Sequence, residues 1–443
     1  MSHSAWETPP SASVPFCCAS PQDVVAVSDG LRPTQQRLSR MPLDDIVAAL
    51  DTVAHGWLDP KTPFRQEAEA RLAAAGQADP DLLAHLFSQL TRPALVQLLE
   101  EELGDPGVLD DFVPRQRGAG RTRAFGPGRI LHILPSHVPD VAILGLVCAL
   151  LTKSASLARV NPDRAVLLTF FLRSLERVQP ALAACCAIVT WARARVDITR
   201  AAFENVEAAI VYGSDETLND LRPLIPARTH VLFHGHKVSL GVVARECAQP
   251  AVAEATARDV MAHNQRGCLS PHVYYVESGG VCPPMAFAGH VAQALDGLCR
   301  ASSARRAPLA VHADEAAHIW QWRGALPLKG GRVFQSGDGI NWTVLYDPDP
   351  TFVPSPLGCT IWIKPIEDWA ALRLHLQPIA PHLQAVGVAV PAERLGAVVA
   401  HLAEMGVCRI CPIGWMQRPP LTWHYDGRFR LLDLLRFVDW ETA

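Results

Sequence analysis

The sequence has no long apolar run. Its longest unbroken one, VAILGLVCALL at residues 141–151, spans 11 residues, whereas a helix that crosses a bilayer needs about 20. A membrane span is therefore not expected, and a buried helix is. Clustered charge is equally scarce: 40 Lys and Arg stand against 44 Asp and Glu, a formal net charge of -4. With no basic block to neutralise a phosphate backbone, nucleic acid is not an expected partner. The opening residues MSHSAWETPPSASVPFCC lack the basic start and continuous apolar region of a secretory leader, so a cytoplasmic location is expected. Both standard phosphate fingerprints are missing as well. No G-x-G-x-x-G lies between a strand and a helix, and no G-x-x-x-x-G-K-[ST] occurs, so any nucleotide site must use another device.

The 12 cysteines (17, 18, 148, 185, 186, 247, 268, 282, 299, 359, 408 and 411) are scattered through apolar segments. That is the pattern of reduced core filler, not of a disulfide framework. Cys408 and Cys411 form a CxxC, but no second CxxC or His pair at zinc spacing accompanies it, so no metal site is expected. Cys268 has a different setting. In HNQRGCLSPH it follows a glycine, lies between polar clusters, and sits between a helix-like run and the strand-like VYYVE.

With 443 residues the chain is expected to form two or three compact units. Residues 1–38, rich in Ser, Pro and Ala, read as a flexible tail. From Leu43 to Glu102 apolar residues recur at helical spacing, as with Ile46, Leu50 and Val53, giving a helical lead-in. Beyond Arg129, short apolar runs (RILHIL, ASLARV, CAIVTW, EAAIVYG, THVLF) alternate with amphipathic ones. That rhythm predicts a doubly wound α/β unit with a parallel sheet covered on both faces. A second α/β passage follows, with strands near KVSLGVVA, HVYYVE, TVLYD, TIWIKPI and AVGVAV, and the chain ends in a helix-like run after an Asp426-Gly427 turn signal. In VYGSDETL a strand ends at Gly213 and Ser214 stands at an N-cap position. The free N–H groups there suit a phosphate, although any capped helix looks alike.

Six ordered segments, LPSHVP, ARVNP, VYGSDETL, FHGHKVS, NQRGCLSPHVYYVE and RICPIGWMQRPPLTWHYDGR, together resemble the acyl-CoA reductases of the bacterial luminescence fatty-acid reductase type, a branch of the aldehyde dehydrogenase superfamily. The resemblance runs from about residue 43 to the C-terminus. It implies an aldehyde-dehydrogenase-like α/β fold, with a Rossmann-type NADPH-binding domain at 39–235 that includes the lead-in. A second α/β catalytic domain is expected at 236–407, and a segment returning to the cofactor domain at 408–443. The implied reaction is reduction of a fatty acyl thioester, as acyl-CoA or acyl-protein, to the aldehyde with NADPH. The family also suggests an acyl-protein synthetase partner and a homo-oligomer.

The superfamily's Asn-Gln-x-x-Cys motif is met by Asn264, Gln265 and Cys268, which carries the nucleophile role to Cys268 and marks Asn264 as catalytic. Thiol chemistry suits the reaction, because a thiolate attacks a thioester readily and leaves an acyl-enzyme electrophilic enough to accept a hydride. His263 and Arg266 are near enough in sequence to lower the thiol pKa, unless their side chains point elsewhere. Phe233 stands where hydrolytic relatives carry a water-activating Glu, which suits acyl exchange over acid formation. His137 replaces the oxyanion-stabilising Asn of the Gly-Asn-Val-Pro loop, where an imidazole N–H can donate instead.

For the cofactor, Arg159 stands where a Lys approaches the adenosine ribose and Pro162 where a Glu holds its hydroxyls. A guanidinium with no neighbouring acid favours a 2′-phosphate, hence NADPH. Gly213 and Ser214 then fall on the pyrophosphate or nicotinamide side, and Asp215 is assigned to capping. His234 and His236 are as suited to a polar loop as to catalysis, and Trp423, His424 and Asp426 to a packed or a closing loop. Two rival readings remain: a CoA-acylating aldehyde dehydrogenase acting on shorter aldehydes, and an acyl-accepting subunit that does not reduce.

Overall fold

The computed structural model describes residues 15–74, 80–115, 119–135, 139–303, 311–337 and 339–441. They fall into two compact units, the first bounded by Met1–Leu72, Asp79–Gly235 and Pro420–Ala443, the second by Ala73–Ala78 and His236–Pro419.

The first unit is built on a six-stranded parallel sheet in the order Phe16–Cys17, Cys186–Thr190, Ala155–Arg159, Arg129–Ile133, Ala208–Tyr212 and His230–His234. All five residues of Arg129–Ile133 are buried. Because successive side chains point to opposite faces, both faces of the sheet are covered there. Helices Pro21–Leu38 and Pro139–Leu151 pack on it. The lead-in helix Leu43–Leu58 buries Ile46, Leu50 and Val53 as the spacing predicts, and its Trp57 stacks on Phe87 with ring centroids 4.3 Å apart.

Two expectations for this unit fail. The flexible tail does not extend to residue 38: Pro21–Leu38 is an 18-residue helix with a capping box between Ser20 and Asp23, and it buries Val24, Leu31 and Leu38. Its Pro and Ser content masked an i, i+7, i+14 apolar stripe, and Phe16–Cys17 extends the sheet edge by pairing with Cys186–Thr190. The C-terminal run is not a helix either. Arg436–Trp440 is a strand paired antiparallel with Arg121–Phe125, which also pairs with Val113–Pro114 in a separate three-stranded sheet. Phe, Val and Trp favour strands, but the partner lies some 300 residues away and leaves no local periodic signal.

The second unit holds a seven-stranded sheet in the order Arg332–Gln335, Thr343–Tyr346, Thr360–Ile366, Pro271–Glu277, Val238–Val243, Leu383–Ala389 and Arg409–Pro412. It is parallel except for its first pair. Residues 408–419 therefore do not return to the first unit as expected, because Arg409–Pro412 completes this sheet. The central strand feeds two cores by alternation: Tyr274 and Val276 enter one, Val273 and Tyr275 the other. Gly241 is required beside it, since a Cβ there would lie 2.0 Å from the Tyr274 ring. Among the described residues no helix is long and apolar enough to cross a membrane.

Candidate functional site

In the second unit, helix Pro250–Met261 breaks before the cysteine loop. His263, Asn264 and Gln265 then adopt successive left-handed conformations, with φ of 52°, 53° and 63°. Asn and His are enriched in that region, but Gln adopts it at a cost of about 1–2 kcal/mol. The Gln265 side chain, 1% exposed, offsets this cost. Its Nε2 donates to Pro271 O at 2.8 Å and Thr360 O at 2.7 Å, while its Oε1 accepts from Thr360 N at 2.8 Å.

Cys268 follows on this braced turn and is half-buried. Ser239 Oγ donates to its carbonyl at 2.8 Å and accepts from Ala385 N at 3.3 Å, so the cysteine backbone is tied through one hydroxyl to two neighbouring strands. Most other thiols are held back by burial: Cys18 and Cys148 are pushed up to about 12, and Cys185 and Cys411 to about 11. The guanidinium of Arg266 is engaged by Glu315, at 3.2 Å from Nε and 2.6 Å from Nη2. Asn264 lies within the left-handed turn, four residues before Cys268. The expected oxyanion residue, His137, lies outside the described residues.

In the first unit, the strand Arg129–Ile133 has Ala155–Arg159 on one side and Ala208–Tyr212 on the other. Chain order reverses at this point, and ligands of doubly wound sheets bind beyond such reversals, at the carboxyl ends of the strands. Arg159 and Gly213 lie at those ends. Arg159 donates to Trp191 O at 3.1 Å, while its buried Nε has no hydrogen-bond partner. Burial first, and then the nearby Arg193 charge, lower its pKa. Arg193 reaches Thr217 Oγ1 at 3.1 Å. Arg159 thus brings a buried positive charge with one unsatisfied donor to this end of the sheet.

A Cβ at Gly213 would make a tight contact with Thr217, 3.0 Å from its Cγ2. Ser214 Oγ accepts from Thr217 N at 3.2 Å, so it caps the helix Asp215–Leu221, and Asp215 is the first helical residue and not the cap. Phe233 carries Arg222 over its ring at 4.5 Å.

One pairing had no sequence signal. His234 Nδ1 lies 2.7 Å from Asp426 Oδ2, across 192 residues. The imidazole stacks on Tyr212 at 4.6 Å and meets the edge of Tyr425 at 4.8 Å. The Asp426-Gly427 turn was legible, since both residues take the left-handed conformations a tight hairpin turn needs. That it delivers a carboxylate to His234 was not.

Residues 38–437 match the family model described as acyl-CoA reductase (LuxC). The chain belongs to this acyl-CoA reductase family. Similar members include the long-chain acyl-protein thioester reductase of Aliivibrio fischeri, 22% identical over 79% of this chain and 71% of that one. Long-chain acyl-protein thioester reductase 2 of Photobacterium leiognathi is 21% identical over the same shares, 79% and 71%. The family shares its fold with the aldehyde dehydrogenases. A NAD-dependent benzaldehyde dehydrogenase from Corynebacterium glutamicum superimposes with a TM-score of 0.67 over 96% of this chain and 90% of that one, at 13% identity. The α/β architecture expected from the sequence is thus the aldehyde dehydrogenase fold, and membership of a reductase family implies a nicotinamide cofactor.

Proposed function

We propose that this chain reduces a fatty acyl thioester, presented on CoA or on a protein, to the aldehyde with NADPH. The observation that carries the reading is Cys268: a half-buried thiol on a turn braced by Gln265 and Ser239, in a chain of the acyl-CoA reductase family. The thiolate attacks the thioester carbonyl, the acyl–sulfur bond of the substrate breaks, and the carrier leaves as its own thiolate. NADPH, when bound, would supply a hydride. Addition to the acyl-Cys268 carbonyl would give a tetrahedral oxyanion, which expels the Cys268 thiolate and leaves the aldehyde.

The Cys268 backbone N–H is assigned as an oxyanion donor, with His137 as the side-chain donor and Asn264 shaping the turn. Arg159 is assigned to the 2′-phosphate, with Gly213 and Ser214 on the pyrophosphate or nicotinamide side. The unsatisfied Arg159 Nε supports this reading, as does the absence of a carboxylate at Pro162. At Phe233 an aromatic ring under Arg222 replaces a water-activating acid, which supports transfer over hydrolysis. An acyl-protein substrate implies a synthetase that loads it.

The test is mass spectrometry of the full chain mixed with long-chain acyl-CoA. An acyl adduct on the Cys268 peptide, released as aldehyde on adding NADPH and absent in Cys268→Ser, is expected. An adduct that NADPH does not release would mean an acyl carrier, and aldehyde formation by Cys268→Ser would overturn the reading.

A further inference from the structure

In the second unit a cluster of charge gathers at the carboxyl ends of the strands. Val238–Val243 has Pro271–Glu277 on one side and Leu383–Ala389 on the other, so chain order reverses at this strand. The helices that follow lie on opposite faces of the sheet: Ala253, Ala257 and Val260 of Pro250–Met261 share a core with Tyr274 and Val276, and Val398 and Leu402 of Ala392–Glu404 share one with Val273 and Tyr275. Such a reversal leaves a crevice beyond the strand ends, where doubly wound sheets take ligands. Cys268 precedes Pro271–Glu277 and so stands at the other end of that strand.

Glu277, 1% exposed, is the last residue of its strand. It accepts from Arg394 Nη1 and Nη2, each at 2.8 Å, from Arg245 Nη2 at 2.6 Å and from Arg245 N at 3.1 Å. Burial works against its ionisation, but the bonds from Arg394 and Arg245 lower it to about 2. One buried anion thus serves two cations. The other positive charge is met by Glu246, whose two carboxylate oxygens both lie 2.9 Å from Arg394 Nη1. The Glu246 side chain is 45% exposed, so unlike Glu277 it can turn into water at little cost.

Arg245 has donors to spare. Its Nε is buried without a partner, and among the described residues nothing accepts from its Nη1. The loop after Glu277 lies directly on it. A Cβ on Gly280 would stand 2.3 Å from Arg245 O, and one on Gly279, with φ of 85°, 3.5 Å from Arg245 Nη1. A side chain at 280 would push the loop off the arginine. Among the described residues no group accepts from the N–H of Gly279, Gly280 or Val281. Successive main-chain donors around a left-handed glycine form a concavity that suits an oxyanion, and here an arginine borders it.

We propose that this crevice binds a phosphate group, free or as a monoester, held by Arg245, Arg394 and the main chain of residues 279–281, with Glu246 as the carboxylate it displaces. A tetrahedral oxyanion suits these donors because two guanidinium groups and a run of main-chain N–H groups come from different segments, and phosphate has oxygens for each. The site is independent of the reading of Cys268 and of the cofactor.

The probe is inorganic phosphate, titrated into the full chain at constant ionic strength in an Arg159→Ala background, which removes the phosphate contact proposed for the cofactor. Calorimetry reads the affinity, and hydrogen–deuterium exchange of the peptide spanning residues 279–281 reads the place. Glu246→Gln is expected to bind phosphate at least about tenfold more tightly than its parent and Arg245→Met at least about tenfold more weakly, the scale of one charge-assisted hydrogen bond. Arg245→Lys should fall between, and phosphate should slow exchange in that peptide. Equal affinities in Glu246→Gln and its parent overturn the proposal, as does binding that leaves the exchange unchanged. If Arg245→Met fails to fold, the exposed Glu246→Gln and the exchange measurement still decide. Glycerol 3-phosphate separates the two sources: equal or tighter binding supports an ester, and its exclusion supports the free ion.

Discussion

Gln265 and Thr360, 95 residues apart, exchange two buried hydrogen bonds: Thr360 N to Gln265 Oε1 at 2.8 Å and Gln265 Nε2 to Thr360 O at 2.7 Å. This one amide anchors the strained turn before Cys268 to the strand Thr360–Ile366.

Gln265→Ala removes three buried hydrogen bonds, although Thr360 O keeps the Ser355 hydroxyl and Thr360 N keeps the Leu357 carbonyl. A loss of about 1–3 kcal/mol is expected, read as a lowered midpoint in thermal or urea unfolding. Alkylation of Cys268 should become less uniform as the turn relaxes. Wild-type stability in this variant would show that the left-handed turn holds itself.

Arg159→Ala should weaken binding of 2′,5′-ADP by at least about tenfold, the value of one charge-assisted hydrogen bond, and leave 5′-AMP nearly unaffected. Arg193→Ala should have the same direction with a smaller effect, because Arg193 is shared with Thr217 and Asp220. Titration calorimetry reads both without turnover. Equal losses for the two nucleotides would remove the 2′-phosphate assignment.

Burial raises Asp259 from its usual 3.8 to about 7. The folded state therefore binds a proton that the unfolded state has released. The stability this supplies is fully present below about pH 4 and is lost as pH rises through about 7. Asp259→Asn should flatten the fall in unfolding midpoint across that window. An unchanged slope would show that the carboxyl does not titrate there.

Asp426→Ala leaves the His234 ring buried without its carboxylate, at an expected cost of about 1–3 kcal/mol; Asp426→Asn keeps a hydrogen bond and should cost less. Differential scanning calorimetry separates the two. Equal costs would mean that the contact is packing and not hydrogen bonding.

The sequence by itself determined the elements whose signal is local. Strand-and-helix alternation after Arg129 gave the wound sheets, the spacing of Ile46, Leu50 and Val53 gave the lead-in helix, and Ser214 announced its own cap. The motif around Cys268 marked the candidate loop, because the order of Asn264, Gln265 and Cys268 is a short-range feature. Composition misled at residues 21–38, where a capping box and a sparse stripe outweigh Pro and Ser, and at Arg436–Trp440, where a distant strand selects β structure.

Only the tertiary structure decided which side chains brace the turn before Cys268 and which do not. Arg266 lies two residues before Cys268 yet turns to Glu315, whereas Gln265 reaches Thr360 across 95 residues and braces the turn. The pairing of His234 with Asp426 is likewise invisible along the chain. The physical reason is common to all three. Periodicity and capping arise from bonds between near neighbours, but a buried charge or amide finds its partner through the register of strands that meet only when the sheet is complete.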